Sequence, residues 1–206
     1  MKIFLIAIFP LISFLKPASP NQDFKNFVPG IRAKENTLID TNKINELKKN
    51  FRVKKVESDP TKQWYYHQTT PTGVYYNWVS CYFRVTDNQA TEPLRLRVQC
   101  HGEKAIVFKR LIFVIDGQTI EYKPSSSRIF RCESEECEED SNKYWEYCEE
   151  AVLDMDMNLI KTLYRAKSAE VKFVGSLYSS PVTITSEEIA AFRQTIDLYL
   201  AFGGKL

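Results

Sequence analysis

Glycine and histidine are scarce in this chain, with seven glycines and two histidines among 206 residues. So little glycine excludes collagen-like and glycine-rich linker sequences, whereas frequent Phe and Tyr favour packed sheet. No G-x-S-x-G elbow, P-loop or H-E-x-x-H pattern occurs, so the common catalytic signatures are missing. The net charge of +2 gives no general attraction to nucleic acid or to an anionic membrane.

The chain also lacks an apolar run of about 20 residues, the length that spans a bilayer. Residues 3–15 are largely apolar and follow Lys2, which is typical of an export signal. We therefore expect residues 1–19 to be a signal peptide or an uncleaved signal anchor, and such an anchor would be the sole membrane attachment. The predicted location is the periplasm, the cell surface or the extracellular medium.

Three regions follow from the composition along the chain. After residues 1–19, residues 20–50 resemble a leader or tether, with one short helix possible at 42–50, Thr41 as its N-cap, and Ile44 and Leu47 facing inward. Residues 51–206 are expected to form a single β-rich domain. Its clearest strand signal is Asp116-Gly117 between two apolar runs, which predicts a tight hairpin.

Helical spacing takes over towards the C-terminus. Residues 155–163 carry apolar side chains at helical intervals, and a second apolar stripe runs from 189 to 200. Thr185 and Glu188 form a capping-box pattern before that second helix, and Gly203 is a suitable stop. The predicted fold is α+β, mostly antiparallel β, either sandwich-like or one curved sheet, with two C-terminal helices.

A longer pattern runs through the β-rich part of the chain. Its segments are Trp64-Tyr65-Tyr66-His67, Leu94-Arg95-Leu96-Arg97-Val98-Gln99, Val107-Phe108, Asp116-Gly117 and Trp145-Glu146. In this order they resemble an uncharacterised domain of exported or surface-attached bacterial proteins, over roughly residues 60–202. That resemblance implies a shared fold and no known activity, so it supplies no catalytic residues.

Five cysteines in an exported chain predict disulfides, with at least one thiol left over. If the hairpin of strands 75–85 and 94–101 is centred between Ala90 and Thr91, Cys81 lies opposite Cys100, and we expect those two to be bonded. A second bond is expected within the trio Cys132, Cys137 and Cys148.

Metal binding has weak support in the sequence. Asp154, Asp156 and Asn158 copy the opening of an EF-hand loop, but Leu159 replaces its glycine and Arg165 its bidentate glutamate. The acidic stretch 133–140 is expected to be a solvated loop without a tightly bound metal. We therefore predict no metal site and no cofactor.

The same hairpin register places aromatic and arginine side chains together on the face opposite the cysteines. Arginine suits carboxylate or phosphate and stacks on aromatic rings, so this face is the best candidate for a binding surface, with an anionic ligand, an acidic glycan or an acidic protein patch as its partner. His101 would strengthen such binding as the pH falls. Two alternatives stay open: an ordinary polar face exposed to water, and a face covered by a C-terminal helix. The predicted ligand-binding residues are Trp78, Tyr82, Arg84, Arg95, Arg97 and His101.

The sequence thus predicts a non-catalytic exported module that binds an unknown protein, glycan or envelope component, and no nucleic acid. One alternative is a hydrolase that uses dispersed carboxylates such as Glu146, Glu149 and Asp154. Another is a structural accessory domain of a surface assembly.

Overall fold

The computed structural model describes residues 41–132, 144–176 and 181–206. Within these ranges the helices are α1 (Thr41–Leu47), α2 (Met157–Arg165) and α3 (Ser186–Ala201). Short 3-10 turns lie at Lys48–Asn50, Ser126–Arg128 and Asp154–Asp156. The strands are β1 (Phe51–Val56), β2 (Asp59–His67), β3 (Trp78–Thr86), β4 (Arg95–Gly102), β5 (Arg110–Ile115), β6 (Gln118–Tyr122), β7 (Ile129–Arg131), β8 (Tyr144–Ala151), β9 (Ala169–Val174) and β10 (Val182–Ile184).

The described strands pair antiparallel throughout and form two sheets. One is six-stranded, in the order β1-β2-β3-β4-β8-β7, and the other is four-stranded, in the order β10-β9-β5-β6. Together with α2 and α3 near the C-terminus, this confirms the predicted α+β, mostly antiparallel class. Two sheets form rather than the single curved sheet that the sequence left open.

One hydrophobic core joins both sheets to the helices. Phe83 of the six-stranded sheet, Phe113 of the four-stranded sheet and Ile196 of α3 are all fully buried in it. The predicted short helix forms as α1, and its Ile44 is buried in the same core. The compact domain therefore includes α1, while the predicted signal segment 1–19 lies outside the described residues.

The hairpin at Asp116-Gly117 forms as predicted. Both residues have positive φ, 47° and 84°, as a type I′ turn requires, and the pairing sets Phe113 opposite Ile120. The carboxylate of Asp116 also accepts the backbone N–H groups of Lys167 and Ser168, at 3.1 and 2.8 Å. These bonds hold the pKa of Asp116 below its usual value and tie the turn to the segment after α2.

The capping box that opens α3 also attaches this helix to the six-stranded sheet. Thr185 Oγ1 accepts the N–H of Glu188 at 3.1 Å, and Glu188 Oε2 accepts the N–H of Thr185 at 2.9 Å. The other oxygen, Oε1, accepts the N–H of Val79 on β3 at 3.1 Å. Helix α3 therefore packs on one side of the sheet, its inner face, and ends before Gly203, which has φ of 84°.

The predicted register of β3 and β4 is wrong by four residues. The chain turns at Asp87 and Asn88, both with positive φ, rather than between residues 90 and 91. Cys81 consequently pairs with Leu96, and Cys100 lies four positions further along β4. Because the slip is even, every side chain keeps its predicted face of the sheet.

The predicted bond between Cys81 and Cys100 is wrong for the same reason, since four strand positions separate the two cysteines by roughly 13 Å. Cys81, Cys100 and Cys148 are buried free thiols. This also excludes Cys148 from the second predicted bond. Pairing of Cys132 with Cys137 involves a residue outside the described part of the chain and stays a prediction.

Candidate binding surface

The outer face of the six-stranded sheet, opposite α3, brings together the side chains predicted for binding. The register pairs Tyr82 with Arg95, Ser80 with Arg97 and Trp78 with Gln99. Alternate residues on each strand share a face, so Arg84 and His101 belong to this face as well. Their grouping on one face agrees with the sequence analysis, and their role in binding stays a prediction.

Neighbouring strands extend this outer face with residues that sequence reasoning missed. Strand β2 pairs with β3 and adds Trp64 and Tyr66, whereas β8 pairs with β4 and adds Trp145, Tyr147 and Glu149. The signal for the first two was present, because aromatic residues are dense from 64 to 82. The place of β8 beside β4 is a long-range pairing that no local pattern shows.

Aromatic rings form two groups on the outer face. In the first, Tyr82 stacks on Tyr66 with ring centroids 4.8 Å apart and meets Trp64 at 5.5 Å. In the second, Tyr147 stacks on Trp145 at 5.8 Å and on Phe130 at 4.9 Å. Such pairs add stability beyond their buried area.

Arginines and a glutamate occupy the space between the two aromatic groups. Arg97 Nη1 donates to Glu149 Oε2 at 3.2 Å, and Arg95 Nε donates to the hydroxyl of Tyr82 at 3.0 Å. The Tyr82 hydroxyl in turn donates to Glu149 Oε1. Burial, then this bond to Glu149, raise the pKa of Tyr82, so its hydroxyl remains a donor.

The arginine side chains are also stacked on aromatic rings. The guanidinium of Arg97 lies 4.1 Å from the ring centre of Tyr147, and that of Arg84 lies 5.0 Å from Trp64. Arg84 Nε additionally donates to Glu92 at 2.8 Å. About a quarter of the Arg84, Arg95 and Arg97 side chains remains exposed, so they are held in place and still reachable by a ligand.

The six predicted residues do not form one open patch. Tyr82 is 5% exposed and forms part of the floor of the surface. Residues 73–77 fold over the far end of the hairpin, where Gln99 Nε2 donates to the carbonyl of Tyr76 at 3.0 Å. Trp78 is half-buried there, and the ring of His101 packs edge-to-face against Tyr75 at 5.6 Å. Arg84, Arg95 and Arg97 therefore form the accessible part.

A groove opens beside this arginine group, between the outer face and the segment after β2. Its volume is about 440 Å³, which lies within the roughly 300–1,000 Å³ of small-molecule sites. The exposed side chains of Arg52 and Lys54 on β1 stand on one side of it. The groove is lined mainly by Arg52, Lys54, Tyr66, Thr70, Pro71, Thr72, Ser80, Tyr82, Arg97 and Glu149.

The three carboxylates of the hydrolase alternative lie apart. Glu149 is on the outer face, whereas Glu146 is buried on the inner face of the same strand. The backbone N–H groups of Ile106, Val107 and Phe108 all donate to Glu146, at 2.7, 2.6 and 3.0 Å.

Asp154 is exposed in the 3-10 turn before α2, and the carboxylate of Asp156 in that turn accepts the N–H of Leu153 at 2.9 Å. Among the described residues, no three His, Cys, Asp or Glu side chains cluster as a metal site requires. The acidic stretch 133–140 is outside the described ranges.

No protein-family model matches the chain, and no curated protein or solved structure shows significant similarity to it. Within the described ranges, no helix has the length and apolar character needed to cross a membrane. The resemblance to an exported bacterial domain therefore stays a prediction.

Proposed function

We propose that this protein is a non-catalytic exported module that binds an acidic ligand on the outer face of its six-stranded sheet. The observation that carries the proposal is the arginine group, with Arg97 stacked on Tyr147 and bonded to Glu149. Export is inferred from the N-terminal apolar segment. The ligand is a protein, glycan or envelope component that presents carboxylates.

Charge on this face favours an anionic ligand. The face carries five cations, two from β1 and three from β3 and β4, and two carboxylates, those of Glu92 and Glu149. A guanidinium offers a planar pair of donors to a carboxylate, and the aromatic rings beneath fix its position before a ligand arrives. Side chains that are already ordered lose less entropy on binding, which raises affinity.

Substitution of the central arginines tests the proposal. We expect Arg95→Ala and Arg97→Ala each to weaken binding of acidic glycans or envelope extract by about ten-fold, because each removes a charge-assisted hydrogen bond. Binding should also weaken as salt is raised from 0.05 to 0.5 M, since surface charges are screened.

Arg110→Ala is the matched control. Arg110 lies on the four-stranded sheet and forms an exposed ion pair with Glu121 at the same 3.2 Å as Arg97 with Glu149. This variant should bind like the wild type. Undiminished binding by folded Arg95→Ala and Arg97→Ala variants would rule out this surface.

A further inference from the structure

A buried hydroxyl in the groove lacks a partner. Ser80 is 5% exposed, and its Oγ accepts and donates no hydrogen bond among the described residues. Ser80 lies on β3 opposite Arg97 and lines the groove of about 440 Å³. A buried polar atom without a partner costs stability, so a group that enters the groove and bonds to it recovers that cost.

The groove offers donors and acceptors side by side. Arg97 and the exposed rim cations Arg52 and Lys54 can donate to a carboxylate, whereas Glu149 can accept from a hydroxyl. Ser80 can do either. The edges of the stacked Tyr66 and Tyr82 rings add an apolar wall. A ligand that fits all of these carries one carboxylate, several hydroxyls and an apolar side.

We propose that the groove binds a single carboxylate-bearing sugar residue of an acidic glycan. This inference rests on the proposed function and narrows its ligand to one chemical class. Sugar hydroxyls satisfy Ser80 and Glu149, and the sugar carboxylate meets the cations. A dense polyanion fits less well, because Glu149 would repel it. The volume is near the lower end of small-molecule sites, so it holds one sugar residue rather than a long chain.

Ser80→Ala separates a ligand partner from a structural role. We expect this variant to melt about 2–6 °C higher, because the buried unpaired hydroxyl is gone. We also expect it to bind galacturonate about five-fold more weakly, because one hydrogen bond to the sugar is lost. A hydroxyl with a purely structural role would give neither the rise in melting temperature nor the loss of affinity.

The direct test is an NMR titration of the isotope-labelled protein with galacturonate, glucuronate, N-acetylneuraminate and neutral galactose, followed through the backbone amide signals. Amide shifts of residues 66, 70, 72, 80, 82 and 97 should saturate with the acidic sugars and respond weakly to galactose. Lys54→Ala, an exposed substitution that leaves the fold intact, should weaken the binding of acidic sugars and leave the response to galactose unchanged. Thr119→Ala on the exposed face of the other sheet is the control and should change nothing.

The outcomes separate the two proposals. Binding of acidic glycans could be weakened by Arg95→Ala and Arg97→Ala but unchanged by Ser80→Ala and Lys54→Ala. In that case the groove is not the sugar site and the proposed function survives. Shifts confined to Trp64 and Arg84 would likewise place the ligand outside the groove. If no acidic sugar or glycan shifts any amide on the outer face, the sugar proposal falls; if envelope extract shifts none either, the proposed function falls with it.

Discussion

The two faces of the six-stranded sheet are built from alternate residues of the same strands, yet their polar groups are held in opposite ways. Glu146 and Glu149 illustrate this, since they are three residues apart on β8. Glu146 is 3% exposed and receives three backbone N–H groups and Arg131 Nε. Glu149 receives Arg97 and Tyr82 side chains and remains partly exposed. Backbone donors are positioned by the fold itself, whereas side-chain donors can rotate from their acceptor to a ligand.

The largest expected difference between the faces lies in these two glutamates. We expect Glu146→Ala to lower the free energy of unfolding by about 3–5 kcal/mol, because it leaves the N–H groups of residues 106–108 without their acceptor and removes the carboxylate partner of Arg131. Glu149→Ala should cost about 1 kcal/mol, since water can replace its contacts. Urea denaturation of both variants measures the two values, and equal losses would refute the contrast.

The inner face should also be the more sensitive to alkaline pH. Burial raises the pKa of Cys148 to about 12. In the unfolded chain the same thiol has a pKa near 8.5, so as the pH rises it ionises in the unfolded state before it ionises in the folded state. Its contribution to stability is therefore fully present below pH 8.5 and is lost as the pH rises towards 12. We expect a loss of about 1–2 kcal/mol from this thiol at pH 10.

Urea denaturation between pH 8 and 11 measures that loss. Cys148→Ala should show a shallower decline than the wild type over this range, even though it starts from lower stability. Alkylation of the folded protein at pH 8 should leave Cys81, Cys100 and Cys148 unmodified, because buried thiols resist ionisation. Identical slopes, or rapid alkylation without denaturant, would show that the inner face is open to water.

The smallest effect is expected at the ion pair of the outer face. A double-mutant cycle of Arg97→Ala and Glu149→Ala should give a coupling energy of about 0.5–1 kcal/mol, because both side chains are about a quarter exposed and screened. The coupling should shrink in 0.5 M salt. A coupling of several kcal/mol, unaffected by salt, would mean that this pair is as fixed as the contacts of Glu146.

Local patterns predicted several parts of this fold correctly. The Asp116-Gly117 turn predicted the register of β5 and β6, because a two-residue loop fixes which residues of the two strands pair. The pair Thr185 and Glu188 marked the start of α3 for a similarly local reason. The predicted side chains also lie on the predicted outer face, since a register error of four residues, an even number, leaves the alternation of side chains unchanged.

Long-range placement could not be predicted in the same way. The turn at Asp87 and Asn88 lies within a polar connection that offered no unique centre. The pairing of β8 with β4 brings Glu149 to the arginines across about 50 residues of chain, and no spacing rule shows it. Sequence reasoning therefore found three of the five cations of the candidate surface and missed Arg52, Lys54 and the acid beside the arginines.

The carboxylate of Glu146 has a consequence for the order of folding. Its oxygens hold residues 106–108, which lead from β4 in the six-stranded sheet to β5 in the four-stranded sheet, across 38 to 40 residues of sequence. Such a contact can form after β8 has paired and the crossover is in place, which puts it late on the folding route. A residue of this kind governs how long the native state lasts rather than how fast it is reached, so loss of Glu146 should appear chiefly as faster unfolding.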